Sequence, residues 1–557
     1  MLWAILLLAL ALRAWGLGYG LPNVYNPDEV SILSRALSLA GKGLDPGNFV
    51  YPSLFFYVLA AAMGGTYAVE RVLGRVDSPA AFERAYWQDP TLPYLVARSI
   101  SVAAGVLCVA AVYALACKIA GRAVARTAAF LMAVAYIPVR DAHMIKHDVP
   151  IALASALVVL ACWRIQERGR TGDYVKAGLL AGVSFAAHYY AVFTIVPIAV
   201  SHAIRTGLAN AIRESRGLWM AGGVMLLTFA VLSPYVLIDH TRAFADIVAN
   251  RQILFDRTKA EMEWWGPAVT QLRLMATMGA GAAMMAAAVA GAWLLIRKSW
   301  QHAAWLLAMP VVFAAMLTRS YPFGRTQNVL YPFIAVLAAI ALERLARTSA
   351  RPAPVLIGLA IACGAQPLFY DVVLDRLMTR TDTRTAAAQW LAEHVPAGSG
   401  VAVEVYSVPL EPTRDWLQET IARLAPGEPL GPRARGLLAR DPYPTAGYRL
   451  FYLGTGGMDK DKAYLDPDQV FAPGGFAVLR RSGVSHVVIK EAVPHEADAM
   501  RTALKAGATM VYRASPFAEG ADGEAQLPDY DVRPSLDTTR PGPTIEVWRL
   551  TGSGDGR

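Results

Sequence analysis

Residues 127–163 read TAAFLMAVAYIPVRDAHMIKHDVPIALASALVVLACW. Two apolar runs, near 127–140 and 148–163, flank a short charged mouth. There Arg140, Asp141, His143, Lys146, His147 and Asp148 put six ionisable groups into nine residues. Charges at the mouth of an apolar helix are expensive to bury and are functional candidates by default. The pattern is that of a chain entering and leaving a lipid core.

The same pattern extends outward. Met1 to Tyr19 is an apolar N-terminus without a following small-x-small cleavage site, which predicts a retained first helix. Further apolar runs lie near 51–69, 93–117, 176–187, 190–204, 217–238, 270–296, 303–319, 328–345 and 353–370. Several approach the roughly 20 residues needed to span a bilayer. The 176–204 stretch is interrupted at His188-Tyr189-Tyr190 and reads as two short helices. Composition agrees. Of 557 residues, 55% are hydrophobic and 17% charged, where a soluble domain carries about 25% charge. Mean hydropathy is +0.36. A disordered chain, a disulfide-rich mini-protein and an ordinary soluble enzyme are all disfavoured.

Charge is unevenly placed. Residues 1–370 hold 31 basic and 18 acidic residues, and the remainder 21 and 25. The basic excess lies between apolar spans, so it reads as topology signals and anion sites, with no nucleic acid as partner. Basic loops around Arg122, Arg168, Arg213, Arg297 and Arg347 can all be cytoplasmic if 51–69 is re-entrant or lies on the surface. About eleven crossings follow, with the N-terminus inside and the C-terminus outside. The loops 20–92, 140–148, 239–269 and 319–327 then share the outer face with the tail. If 51–69 crosses instead, the first two loops are separated and no common site forms. Cys108, Cys117, Cys162 and Cys363 all lie in apolar stretches without a CxxC pair, which disfavours a disulfide framework or a zinc ribbon.

Apolar runs stop after Tyr370. Thr385 to His394 reads as a helix, and Val401 to Tyr406, His486 to Lys490 and Thr544 to Leu550 as strands. The expected architecture is an α-helical multi-pass membrane domain over 1–370 and a soluble α/β domain over 371–557. The second either binds substrate or covers the first.

Three segments carry candidate chemistry. Asn26-Pro27-Asp28-Glu29 places adjacent carboxylates just after the first helix. They either cap a helix starting near Val30 or serve as a general base, a metal ligand, or both. In the second segment Lys146 and Arg140 suit phosphate oxygens. His143 and His147, four apart, share a helix face but lack a clear third metal ligand. In the third, Arg319 and Arg325 lie on the expected outer face against the positive-inside bias, which an anionic ligand would explain. Arg98 is a weaker candidate of the same kind. His188 reads better as a core histidine, and Trp264-Trp265 as an interfacial belt.

In order and spacing these segments resemble the GT-C superfamily of polyprenyl-phosphate-dependent glycosyltransferases, nearest to the protein O-mannosyltransferases and the aminoarabinose transferases. Pro27-Asp28-Glu29 with Tyr51-Pro52-Ser53-Leu54 looks like the first outer loop of that family. His143 with Asp148-Val149-Pro150 looks like the second, and Arg325 with Pro332 like the opening of a late helix. Asp382-Thr383-Arg384, Trp390 and Pro396 resemble the start of the exported tail. The resemblance implies an inverting hexosyl- or pentosyltransferase in the cytoplasmic (inner) membrane, its site and tail facing the periplasm. A sugar on a polyprenyl phosphate would pass to a hydroxyl of a protein, lipid or glycan acceptor. Asp28 would be the general base, and Glu29 would orient it or the acceptor. Arg140, His143, Lys146 and Arg325 would hold the lipid phosphate. Asp148 and His147 are candidates for metal or substrate. Some members use a divalent cation, Mg or Mn, and others none. A multi-pass transporter of an anionic or lipid-linked substrate is the alternative, but it would not need the tail, and no inverted repeat is visible.

Overall fold

A computed structural model of the chain describes residues 1–456, 459–472, 474–521, 523 and 531–551. The stretch 552–557, the end of the expected tail domain, lies outside the described residues. The chain forms two compact units. One comprises Met1–Leu17, Asn26–Thr66 and Tyr94–Asp375; the other comprises Gly18–Tyr25, Tyr67–Pro93 and Arg376–Arg557. The tail thus folds with two early segments as well as with itself. Arg440 donates to the Trp87 carbonyl (2.7 Å), and Tyr19 donates to Asp382 (2.8 Å).

The first unit is helical. Four described helical segments are long and apolar enough to cross a membrane, Thr91–Ala133, Asp148–Glu167, Trp300–Leu317 and Pro352–His394, of which residues 376–394 belong to the second unit. A fifth is obtained if Gly266–Gly279 and Ala282–Lys298, bent by 115°, count as one span. The expectation of about eleven crossings is corrected on this point. The apolar runs are helical but short or broken. Leu2–Ala14 has 13 residues, Tyr331–Ala346 has 16 and Thr171–Ala187 has 17, all under the roughly 20 that a full span needs. The 270–296 run, read as one helix, bends at Gly281, whose φ of 80° is open to glycine at little cost. The 176–204 stretch does divide at His188, into Thr171–Ala187, a 3-10 segment Tyr189–Thr194 and Ile195–Thr206. Residues 54–72 form one helix, which is not among the long apolar ones.

The second unit carries a six-stranded sheet: β1 (Gly400–Glu404), β2 (Arg449–Leu453), β3 (Ala463–Leu465), β4 (Val484–Glu491), β5 (Ala508–Ala514) and β6 (Thr544–Leu550). Its order is β3-β2-β1-β4-β6-β5; β1, β2, β3 and β4 run parallel, and β6 is antiparallel to both β4 and β5. Side chains alternate across the strands. Ala402, Val487 and Ile489 pack on one face with Trp416, Leu479 and Leu504. Val401, Val403 and Val488 pack on the other with Ala387 and Leu391 of helix Thr383–His394. Helices on both faces are what a parallel sheet requires. Asp382 caps helix Thr383–His394 (Arg384 N–H to Asp382, 2.8 Å) and holds the Arg384 guanidinium.

Candidate functional site

The site is built from three segments far apart in sequence, all within the first unit. Helix Pro27–Lys42 starts with Pro27 at its first position, where a missing N–H costs nothing. Asn26 is its cap, accepting the Asp28 N–H at 2.9 Å. The helix therefore begins before Val30, and capping falls to Asn26. The Asp28 carboxylate points elsewhere and receives an Arg325 N–H, with Lys146 Nζ 3.9 Å away. Burial pushes the Asp28 carboxyl up, but Arg325 and Lys146 together hold it below the ordinary carboxylate value.

Arg325 lies on a 3-10 segment, Gly324–Val329, that is firmly anchored. Asn328 donates to Asp141 (2.6 Å) and to the Arg325 carbonyl (2.8 Å); Gln327 donates to the Gln271 carbonyl (3.1 Å). Burial opposes the charge of Arg325, but Asp148, Tyr51 and Asp28 keep it held above its ordinary pKa. Lys146 lies in the turn between helices Tyr136–Ala142 and Asp148–Glu167. That turn is fixed by the Ile145 N–H, which donates to Glu29 at 2.9 Å. Loops 239–269 and 319–327 meet through Tyr321 N–H to the Leu254 carbonyl (2.8 Å), and Phe49 N–H reaches Asp246 (2.8 Å). The four loops expected to share one face are thus in mutual contact.

Of the other expected site residues, Glu29, Arg140 and His143 are buried on partners of their own, while His147 and Asp148 adjoin Asp28 and Arg325. Glu29 is fully buried, its two oxygens taken by Arg98 at 2.8 and 2.7 Å. It does not present a carboxylate to an acceptor. Arg140 is buried against Asp141 (2.9 Å). His143 is sealed in the core, bonded at Nδ1 to the Val139 carbonyl (2.9 Å) and at Nε2 to the Trp15 carbonyl (3.0 Å), with Asp375 at 3.4 Å. Burial pushes its pKa down to about 4, so it is neutral and unsuited to hold a phosphate. Its partners and those of Arg140 make them supports of the second loop. His147 stacks on Tyr51 (4.2 Å between centroids) and tilts against Phe55 (4.5 Å). Burial, then Arg325 and Arg35, lower its pKa to about 3. Asp148, in the first turn of its helix, acts on Arg325. Arg319 is exposed.

Two residues escaped sequence reasoning. Arg35 lies seven residues after Asp28, two turns along the same helix face, and feels Tyr51, Asp246 and Asp28. Its spacing from Asp28 was the available signal. Asn328 had none, because its role exists only through contact with Asp141.

Among the described residues no three His, Cys, Asp or Glu side chains are placed to hold a metal. Lys146 and Arg325 fill the space beside Asp28 with positive charge.

Residues 93–237 match the family model described as dolichyl-phosphate-mannose-protein mannosyltransferase. No curated protein sequence matches the chain. Among solved structures, ArnT from Cupriavidus metallidurans bound to undecaprenyl phosphate has a TM-score of 0.51 at 12% identity, covering 100% of this chain and 98% of that one. The oligosaccharyltransferase AglB from Archaeoglobus fulgidus, in complex with an inhibitory peptide and a dolichol-phosphate, has 0.45 at 12%, with 94% and 73% covered. The mycobacterial arabinofuranosyltransferase AftD has 0.46 at 14%, with 100% and 40% covered. The ArnT likeness runs through nearly the whole of both chains, so this protein shares the fold of ArnT.

Proposed function

We propose that the chain is a membrane glycosyltransferase that takes a sugar from a polyprenyl phosphate and passes it to an acceptor hydroxyl. The observation that carries this reading is the meeting of Asp28, Lys146 and Arg325 from three distant segments. One base beside two cations is what the reaction requires. The fold shared with ArnT, which binds undecaprenyl phosphate, supports it, as does the match over residues 93–237.

The acceptor O–H gives its proton to an Asp28 oxygen while the acceptor oxygen bonds to the anomeric carbon. The bond from that carbon to the phosphate oxygen breaks, and its electron pair leaves with the lipid phosphate. A single displacement inverts the anomeric centre. Lys146 and Arg325 stabilise the charge that gathers on the leaving phosphate. Glu29 serves indirectly: through Arg98 and the Ile145 N–H it fixes the turn that bears Lys146. The basic loops support a site on the outer face of the cytoplasmic membrane, with the sugar and the acceptor left open.

The test is a transfer assay in nanodiscs, with polyprenyl-phosphate sugars as donors and membrane extract as acceptor. Arg325→Ala is expected to lower transfer by about 10²-fold, the scale for losing one donor to a developing oxyanion. Unchanged turnover would remove Arg325 from the phosphate site. Because two cations stand where a metal would, transfer should persist in excess chelator. Loss in chelator restored by Mg or Mn would overturn that assignment.

A further inference from the structure

The base and the two cations are bonded to each other. Arg325 donates to Asp28 Oδ2, and Lys146 stands 3.9 Å from the same oxygen. Carboxylate and phosphate oxygens are interchangeable acceptors for such charge-assisted bonds. Asp28 therefore occupies the seat that the lipid phosphate needs. The contact is open, with the Asp28 side chain 44% and Arg325 28% exposed. The neighbouring Glu29–Arg98 pair is sealed at 0% and 1%. Two adjacent carboxylates on one helix turn thus have opposite fates: one is locked in, the other reachable by an incoming anion.

The groups that act on Asp28 come from every element around it. Arg35 is on its own helix, and Tyr51 follows in the first loop. Lys146, His147 and Asp148 belong to the second loop, and Arg325 to the late segment. His147 is neutral, and burial keeps the Tyr51 hydroxyl protonated. When Arg325 and Lys146 turn to another anion, Arg35 is the cation left to Asp28.

We propose that Asp28 is a latch on the phosphate seat: it holds Lys146 and Arg325 until the lipid phosphate displaces it, so the donor must bind before the acceptor can be deprotonated. This rests on the reading above. A carboxylate gripped by two cations is a poor proton acceptor. An acceptor arriving first meets a base that cannot use it. Once the phosphate takes the cations, Asp28 is released as a stronger base beside the anomeric carbon. After transfer Asp28 carries the acceptor proton and is neutral, while the leaving phosphate monoester has gained charge. The cations stay with the phosphate. Loss of that proton to water restores the carboxylate, which competes for Arg325 again and helps to expel the product.

The test is equilibrium binding of undecaprenyl phosphate to the full chain in nanodiscs. Asp28→Asn keeps the side-chain shape and removes the charge. It is expected to bind about tenfold more tightly than wild type, within the range of free-energy coupling between two linked binding events. Asp28→Ala, with thermal unfolding as a check on folding, should shift the same way, and Arg325→Ala should weaken binding. Equal or weaker binding by both Asp28 variants overturns the latch and leaves the glycosyltransferase reading standing. If wild type and every variant fail to bind undecaprenyl phosphate, the reading itself falls, and the latch with it.

Discussion

Asp28→Asn is expected to lower glycosyl transfer by about 10²–10⁴-fold, the usual contribution of a positioned general base. The acceptor hydroxyl is a poor nucleophile at neutral pH, and the amide that replaces Asp28 cannot take its proton. The loss should appear in kcat, because the phosphate seat is kept. The pH profile makes the prediction sharper. The active form is the carboxylate, so rate falls as pH falls through its pKa. In the free enzyme burial raises that pKa, but Arg325 and Lys146 overcome it and hold the group below the ordinary value. The acid limb of kcat/KM, which reports free enzyme, should therefore lie below the ordinary carboxylate range. With donor bound, the cations are shared with phosphate and Asp28 regains basicity. The limb of kcat, which reports the complex, should lie at higher pH. Both limbs should vanish in Asp28→Asn. Steady-state rates across pH decide the matter: transfer by the variant within twofold of wild type would remove Asp28 from the mechanism.

The legible part of this molecule is local. Asp28, Lys146 and Arg325 each stand out as a charge beside an apolar run, and such a charge is conspicuous without any structure. Which charges meet is not local. Arg140 and His143 share the charged mouth with Lys146, but they point to Asp141 and to the Val139 and Trp15 carbonyls. Spacing in the sequence cannot distinguish these directions, because the turn at Met144 to His147 is set by Glu29 from 116 residues away. The same limit applies to the sheet. β1, β4 and β6 stand out as runs rich in valine and isoleucine. β2, an exposed Arg449 followed by four apolar residues of which three are buried, has no alternation to mark it, and β3 is only three residues long. β5 carries a register shift between Met510 and Tyr512 that breaks its period. Helix count failed for a related reason. Apolar composition reports burial in lipid or in protein alike, whereas a full span also needs unbroken length.

Removing one partner of the Glu29–Arg98 pair should be the most destabilising single change in the first unit. Both side chains are at most 1% exposed, and they are tied by two hydrogen bonds of 2.8 and 2.7 Å. Arg98 also donates to the Leu17 carbonyl (2.7 Å), and Glu29 also accepts the Ile145 N–H. The pair therefore clamps the end of the first helix, the start of helix Pro27–Lys42, helix Thr91–Ala133 and the second loop at one point. Breaking a buried pair leaves an uncompensated charge, at a cost of about 3–5 kcal/mol. Arg98→Leu strands the Glu29 carboxylate, and Glu29→Leu strands the guanidinium; each should lower the midpoint of thermal unfolding in detergent. The double variant Glu29→Leu/Arg98→Leu should lose much less than the sum, because no charge is then left unpaired. Transfer should respond differently from stability. In the double variant the Ile145 N–H has lost its acceptor, so Lys146 is no longer held toward Asp28 and turnover should fall even where the fold is rescued. Additive losses in the double variant would show that the pair is not a coupled clamp. Full activity at rescued stability would show that Glu29 has no part in placing Lys146.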